Sequence, residues 1–219
     1  MNKLVGKKFI ASYSGGKDSV LAIHRAAASG LIPHSLITTH NPDLEKSWFH
    51  GLSEGLLMRI SASLELPVDL ARTTGEHYEA SFEAALIKGK AQGAEVCVFG
   101  DIDIEDHLNW CRARCDSAEM IPYFPLLKED RKKVVFEFVD AGYLALIKIV
   151  DTSRMSGDFV GKILSREVIA EIEKTGVDIC GENGEYHTFV FDGPLFKNKL
   201  DFEVKEKLVR DKFAILNIF

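Results

Sequence analysis

The sequence has 219 residues, 46% of them hydrophobic and 27% charged, with a formal net charge of −6 at pH 7. These proportions are typical of a soluble globular chain that forms one large domain, or one domain with a smaller appendage. No apolar run reaches the roughly 18 residues of a membrane span, so we expect none, and the acidic balance argues against a broad nucleic-acid surface.

The first 150 residues alternate between strand and helix patterns. Predicted strands lie at 8–13, 34–39, 68–71, 96–99, 121–124 and 144–150, and predicted helices at 18–29, 52–64, 105–117 and 132–140. Another helix follows Thr73, which has capping-box spacing with Glu76, and ends at Gly93. This order predicts a parallel sheet with helices on both faces, in which ligands bind beyond the carboxyl ends of the strands.

The pattern changes after residue 150. We predict a loop at 151–162, a helix at 166–174 with Ser165 as its N-cap, and strands at 189–191 and 213–219. A change from a nucleotide-binding domain to a second region is therefore expected between residues 125 and 150.

The turn after the first strand carries the strongest chemical signal. It reads Ser14-Gly15-Gly16-Lys17-Asp18-Ser19. The two glycines let the backbone turn sharply and approach a ligand closely. The helix that follows offers free backbone N–H groups and the positive end of its dipole, and Lys17 adds a full charge. The stretch therefore predicts a site for a polyphosphate.

This turn is not a Walker A loop, because Ala11 stands where that motif needs glycine and Asp18 where it needs Ser or Thr. It resembles instead the PP-loop of the ATP pyrophosphatases. Those enzymes split ATP between the α- and β-phosphates, leave AMP on a substrate oxygen and release pyrophosphate. We therefore expect ATP to bind here, with Mg²⁺ to neutralise the leaving pyrophosphate.

A second polar cluster lies near the C-terminus. Glu182, Asn183, Glu185 and His187 fall within six residues. Two carboxylates, an amide and an imidazole can bind an amine, order a metal ion or transfer a proton. By composition alone, a solvated surface loop explains the cluster equally well.

The sequence around this cluster resembles the C-terminal signature of the diphthine–ammonia ligase family. The similarity covers 180–189 and 192–196, and it continues at 100–102. Trp110, Cys115, Ser47-Trp48 and His50-Gly51 also look like that family. The resemblance implies a three-layer α/β/α domain of the adenine nucleotide α-hydrolase type at residues 1–125. A small α+β substrate region would occupy residues 126–219.

The resemblance also implies a reaction. ATP activates a carboxylate as an acyl-adenylate, ammonia attacks it, and an amide forms as AMP and pyrophosphate leave. In eukaryotes and archaea the carboxylate belongs to diphthine, a modified histidine of a translation elongation factor. This chain has Pro125-Leu126-Leu127 where family members often have Pro-Leu-Trp, and it looks closer to bacterial relatives. Since bacteria are not expected to make diphthamide, the substrate is left open between diphthine and another carboxylate.

Residues and resemblance together indicate three groups of functional side chains. We expect catalysis to depend on Lys17, Asp101, Glu182 and His187, and nucleotide binding on Ser14, Gly15, Gly16, Lys17, Asp18 and Ser19. We expect substrate binding at Trp48, His50, Asn183, Glu185 and Thr188, and Mg²⁺ binding at Asp18 and Asp101. Two alternatives stay open: Asp18 could orient the turn, and Asp101 could serve the ammonia donor or cap the next helix.

The four cysteines are expected to be structural. Cys111 and Cys115 share one face of a predicted helix, and two ligands make only half a zinc site. Cys180 has no identifiable base. Unpaired cysteines and the absence of a signal-peptide core near Met1 predict a cytoplasmic protein.

Two rival functions follow from the same motifs. One is a tRNA-modifying PP-loop enzyme, which the acidic charge and the unconvincing cysteines disfavour. The other is a nucleotide-sensing module without turnover. A homo-oligomer is expected from the resemblance alone.

Overall fold

The computed structural model describes residues 3–219. Its strands are β1 (Lys8–Ser12), β2 (Ile32–Asn41), β3 (Lys46–Ser47), β4 (Val68–Arg72), β5 (Val96–Val98), β6 (Ile121–Tyr123), β7 (Leu144–Asp151), β8 (Tyr186–Asp192), β9 (Val204–Arg210) and β10 (Phe213–Ile218). Its helices are α1 (Lys17–Ala28), α2 (Glu54–Leu64), α3 (Tyr78–Ala91), α4 (Glu105–Ser117), α5 (Arg131–Asp140) and α6 (Arg166–Glu173), with a 3₁₀ turn at Gly157–Phe159.

The first sheet is built around β1. Its parallel strands run in the order β4-β2-β1-β5-β6, and the short β3 pairs antiparallel with the end of β2. The chain builds outwards from β1 to β2 and β4 and then crosses to β5 on the other side. The strand order therefore reverses between β1 and β5, and a ligand site is expected beyond their carboxyl ends.

Helices cover both faces of this sheet. Phe9 and Ala11 of β1 belong to the same buried cluster as the inner faces of α1 and α2. Ile10, which points the other way, belongs to a second cluster with Phe82 of α3 and Cys111 of α4. Successive side chains of a strand point to opposite faces, so the three-layer α/β/α prediction is confirmed.

The second sheet is antiparallel throughout, in the order β8-β7-β10-β9. β7 forms as predicted, but it belongs to this sheet and does not extend the parallel one. The reason is its partner: β7 pairs with β8, so that Ala145 lies opposite Val190 and Ile147 opposite Thr188. β9 was not predicted, because its side chains are mostly exposed and a hairpin with β10 specifies its pairing.

The helix ends test the local predictions. Ser165 caps α6 as expected, since its hydroxyl accepts a hydrogen bond from the Val168 N–H at 3.3 Å. The capping box predicted at Thr73 and Glu76 is wrong: α3 begins later, at Tyr78, and the Thr73 hydroxyl accepts from the Gly75 N–H instead. None of the helices within residues 3–219 is long and apolar enough to cross a bilayer.

Candidate active site

The turn between β1 and α1 requires both of its glycines. Gly15 has a φ of +87°, and a Cβ on it would lie 2.5 Å from Leu52 Cδ1. Gly16 is the N-cap of α1 in extended conformation, and a Cβ there would lie 2.5 Å from His50 Cε1. Glycine is required at position 15 by the positive φ of the turn itself. At position 16 it is required because the loop carrying His50 packs directly on it.

The two serines of the turn stabilise its backbone. The Ser14 hydroxyl accepts from the Gly16 N–H at 3.2 Å, and the Ser19 hydroxyl donates to the Gly16 carbonyl at 2.9 Å. Ser14 and Ser19 also bond to each other at 3.3 Å. Both side chains line the polar cavity described below, so the turn is already held in one shape.

Strand β8 of the second sheet docks onto this turn. The Val190 N–H donates to the Gly15 carbonyl at 2.9 Å, and the Lys17 N–H donates to the Thr188 hydroxyl at 3.0 Å. The Thr188 carbonyl bonds His50 Nδ1 at 2.8 Å. A carbonyl can only accept, so Nδ1 carries the hydrogen and Nε2 of the neutral ring is the acceptor. Thr188 thus connects the turn, the His50 loop and the second sheet.

Lys17 is buried at the first position of α1. Its ammonium lies 2.7 Å from Asp18 Oδ2 and 5.5 Å from the centroid of the Tyr186 ring. Burial alone would lower the pKa of Lys17, but the neighbouring Asp18, Cys180 and Tyr186 outweigh it and hold that pKa well above its ordinary value. The lysine is therefore a fixed positive charge on the wall of the polar cavity described below.

Two cavities open beside Lys17, at the carboxyl ends of β1 and β5. The aromatic cavity has a volume of about 440 Å³. Its aromatic walls are Trp48, Phe49, Tyr78, Phe82, Phe99 and Trp110. The polar cavity, about 620 Å³, is lined by Ser14, Lys17, Asp18 and Ser19 and by the loop from Gly181 to Gly184. His50, Asp101 and His187 line both, so the two cavities form one cleft.

Three carboxylates face the polar cavity. Burial, with the charges of Asp18 and then Asp101, raises the pKa of Glu182 to about 7, although its Oε1 accepts from the Ile102 N–H at 3.3 Å. Burial likewise raises the pKa of Asp101, whose carboxylate lies 3.7 Å from Cys111 Sγ. Asp101 is not the cap of α4, because Ile104 occupies that position.

These carboxylates do not make a closed metal centre. Within residues 3–219, no group of three His, Cys, Asp or Glu side chains lies close enough together to hold a metal ion. Mg²⁺, however, usually binds proteins through one or two carboxylates and completes its shell with water and substrate phosphates. Asp18 and Asp101 on the wall of a phosphate-sized cavity fit that kind of binding.

Two imidazoles lie at the junction of the cavities. The ring centroids of His50 and His187 are 5.0 Å apart. Burial lowers the pKa of both, and the charge of Lys17 lowers both further. Each ring is therefore neutral near pH 7 and can accept or donate a proton.

The remaining predicted residues are distributed unevenly. Trp48 lines the aromatic cavity and donates its indole N–H to the Thr73 carbonyl at 3.1 Å. Asn183 lines the polar cavity. Glu185 lies outside both cavities, because its two carboxylate oxygens accept from the backbone and side-chain N–H groups of Asn183 at 3.1 Å.

Several residues in or near the cleft were not singled out from the sequence. The aromatic walls come from four separate segments and are typical core residues when each is seen alone. Lys148 of β7 is only 3% exposed, and its ammonium has no hydrogen bond or ion pair within residues 3–219. It is the extra residue of a β-bulge, because Ile147 pairs with Thr188 and Ile149 with His187. The sequence signal that could have identified Lys148 is a charged residue within an apolar strand pattern.

The cysteines are buried and unpaired, as predicted. Cys180 Sγ lies 3.9 Å from Asp18 Oδ1 at the back of the polar cavity. Burial raises the pKa of the Cys180 thiol, which keeps it neutral and a poor nucleophile.

Comparisons with known proteins identify the family of this chain. Residues 7–121 match the family model described as the diphthamide synthase N-terminal domain, and residues 130–218 match the diphthamide synthase C-terminal domain. A relative from Danio rerio named diphthine–ammonia ligase is 24% identical over 94% of this chain and 91% of its own length. A relative of the same name from Rattus norvegicus is 24% identical over 93% of this chain and 86% of its own.

Two further matches are more limited. The Homo sapiens protein of the same name is 31% identical over 46% of this chain and 40% of its own length. A crystal structure described as a "predicted subunit of tRNA methyltransferase" from Methanocaldococcus jannaschii aligns at 13% identity over 88% of this chain and all of that one, with a TM-score of 0.45. Together the two family models cover most of the sequence, and the chain therefore belongs to the diphthamide synthase family, whose curated members named above are ligases.

Proposed function

We propose that this chain is an ATP-dependent amide ligase that adenylates a carboxylate and then transfers ammonia to it, releasing AMP and pyrophosphate. The carrying observation is Lys17, a buried fixed cation at a helix N-terminus that faces a polar cavity continuous with an aromatic one. The names of the relatives point in the same direction.

ATP fits the two cavities in one orientation. The adenine ring stacks well against aromatic side chains, so it belongs among Trp48, Tyr78 and Trp110. The phosphates then reach the polar cavity, where Lys17 and the first-turn N–H groups of α1 favour negative charge. Of those N–H groups, that of Lys17 already donates to the Thr188 hydroxyl, whereas those of Asp18 and Ser19 have no acceptor within the helix. Lys17 would stabilise the charge that develops on pyrophosphate as it leaves.

Mg²⁺ is part of this proposal, with Asp18 and Asp101 as its protein ligands. When bound, it supplies positive charge to the phosphate oxygens and orients them for an in-line displacement. The Asp18 carboxylate pairs with the Lys17 ammonium at 2.7 Å. A phosphate that takes over the ammonium of Lys17 would leave the Asp18 carboxylate free for the metal.

Glu182 and His187 are proposed to serve the amidation step. Ammonium has no lone pair, so it must lose a proton before it attacks the acyl-adenylate. Glu182 attracts the cation when ionised, and a pKa of about 7 suits a group that accepts a proton near neutral pH. His187 is neutral and lines both cavities, and we infer that it would hydrogen-bond the group at the α-phosphate.

The carboxylate substrate is proposed to enter beside the second sheet. We infer that residues 1–125 bind ATP and residues 126–219 bind the substrate, a division supported by the end of the parallel sheet at Tyr123. Trp48, His50, Asn183 and Thr188 are its proposed contacts, with Glu185 acting through Asn183. Diphthine of an elongation factor is the first candidate, since the curated relatives are named for it.

The experiment uses ATP labelled at the α-phosphate, with Mg²⁺, ammonium and an extract of the source organism. We expect labelled AMP from the wild type and at least a 100-fold lower rate from Lys17→Ala, because the leaving charge loses its fixed cation. Glu182→Gln should also lose amidation. Lys133→Ala, an exposed lysine on α5, is the matched control and should behave as wild type.

Each outcome separates the alternatives. ADP in place of AMP would refute α–β cleavage. AMP formation that survives in Lys17→Ala would refute the assignment of the site. Tight ATP binding with no AMP in any extract fraction would favour a nucleotide sensor, and a gel shift with bulk tRNA at moderate salt would favour a tRNA-modifying enzyme. We place the reaction in the cytoplasm, which four unpaired cysteines support.

A further inference from the structure

Arg131 lies where the chain passes from the first sheet to the second, at the first position of α5. Its guanidinium bonds to three residues. Nε donates to Asp103 Oδ2 at 2.9 Å, and Nη1 donates to Asp178 Oδ2 at 2.7 Å and to Asn183 Oδ1 at 3.2 Å. Asp103 follows β5, whereas Asp178 and Asn183 belong to the loop that leads into β8. One side chain therefore joins the two halves of the chain beside the polar cavity.

Asp178 in turn shapes the loop that carries Glu182. Its Oδ1 accepts from the Cys180 N–H at 2.9 Å, and its Oδ2 accepts from the Glu182 N–H at 3.1 Å. The Gly181 N–H donates to the Asp178 carbonyl at 3.0 Å. The carboxylate that Arg131 binds is thus the same one that holds the Glu182 backbone.

A second link runs in parallel. Glu182 Oε1 accepts from the N–H of Ile102, which is the neighbour of Asp103. The Ile102 carbonyl accepts from the Lys128 N–H at 2.8 Å, which ties the segment leading to Arg131 to the same point. The Arg131 guanidinium and the Glu182 carboxylate therefore both connect the segment at 102–103 with the loop at 178–183. The guanidinium does so outside the polar cavity, and the carboxylate does so on its wall.

We propose that Arg131 is a positioning residue that holds Glu182 at the polar cavity through Asp178, an inference that rests on the proposed function for its catalytic consequence. The planar guanidinium reaches Asp103 and Asp178 at once, which a lysine ammonium cannot do with the same geometry. The side chains of Arg131 and Asp103 are 26% and 37% exposed, so the ion pair contributes little to global stability. Removing the Arg131 guanidinium should therefore loosen the loop at 178–183 without a large change in the free energy of global unfolding.

The first test measures amide hydrogen exchange of the free protein, which needs no activity. In Arg131→Gln, exchange at Cys180 and Glu182 should become at least tenfold faster, with the unfolding midpoint little changed. Arg166→Gln is the matched control, because Arg166 makes a similar two-bonded pair with Asp140 and, within residues 3–219, has no hydrogen bond or ion pair to a residue of the cleft. Unchanged exchange of the loop in Arg131→Gln would overturn the proposal, as would the same increase in Arg166→Gln.

The second test asks whether Arg131 acts through Glu182. Since a shift of about 1 Å in a reacting group can reduce the rate 100-fold, Arg131→Gln should lower kcat for ATP-dependent amidation 10- to 100-fold, with KM for ATP within threefold. In a Glu182→Asp background, where the shorter side chain already loses Ile102, the same substitution should cost less than threefold. Equal losses in both backgrounds would overturn the proposal. A wild type that forms no AMP would refute the proposed function instead, and the exchange data would still decide the role of Arg131 in the loop.

Discussion

Lys148 offers a prediction whose size can be worked from the structure. Burial, and then the charge of Lys46, lower the pKa of Lys148 from its ordinary 10.5 to about 8. The folded state therefore binds this proton more weakly than the unfolded chain does. A difference of about 2.5 pH units corresponds to about 3 kcal/mol, at 1.36 kcal/mol per unit.

The sign of the effect follows from proton linkage. Below pH 8 both states are protonated and the full cost is present; between pH 8 and 10.5 the folded state releases the proton first, so stability rises with pH. Lys148→Met keeps most of the length and apolar surface of the side chain and removes the charge. We expect it to raise the free energy of unfolding at pH 7 by up to about 3 kcal/mol.

Urea unfolding of both proteins from pH 7 to 10 provides the measurement. Taking the difference in unfolding free energy between Lys148→Met and wild type cancels the titration of every other group. That difference should shrink as pH rises. Lys133→Met, in an exposed position on α5, should change stability by less than about 0.5 kcal/mol at any pH. A destabilised Lys148→Met, or a difference that does not depend on pH, would refute the reasoning. The first result would mean that the ammonium has a stabilising partner.

Three further outcomes are expected. Gly100→Ala should lose AMP formation and about 1–3 kcal/mol of stability in urea unfolding, because its Cβ would lie 2.7 Å from the Asp18 backbone carbon. Full activity of this variant would show that the N-terminus of α1 can move freely. The rate of amidation should rise with pH through about 7, as Glu182 ionises, and the small residual rate of Glu182→Gln should lack that rise. A rise that persists in the variant would assign it to another group. Tyr78→Ala should weaken ATP binding about tenfold in a calorimetric titration, because it loses about 1.4 kcal/mol of stacking on the adenine ring. Unchanged affinity would refute the proposal that adenine binds in the aromatic cavity.

Much of the fold could be predicted from local patterns. The alternation of strand and helix signals placed every strand of the parallel sheet except the two-residue β3, and each predicted helix formed within a few residues of its expected ends. The turn at 14–19 was recognisable as a candidate site because its chemistry is contiguous: a strand, two glycines and a lysine occupy adjacent positions. Hydrophobic periodicity determines which face of an element is buried, and that information is local.

The partners of those faces were decided by the tertiary structure. The same strand signal describes β7 whether it pairs in a parallel or an antiparallel sheet, and only β8 decides between them. Glu185 and Glu182 are equivalent polar residues in the sequence. In the structure, however, the Glu185 carboxylate accepts a hydrogen bond from the Asn183 side chain, whereas Glu182 lines the polar cavity. Their roles differ because backbone turns, not residue types, direct the two side chains.

The sequence by itself determined the glycine-rich turn at 14–19, the three-layer domain and the identity of the polar residues near the C-terminus. Only the tertiary structure brought Thr188 and His50 onto that loop, gathered the aromatic walls, and placed Lys148 and Arg131 beside the cleft. Contacts between residues more than 100 positions apart leave no periodic trace in a single sequence. They depend on how two sheets dock, which is a property of the whole folded chain.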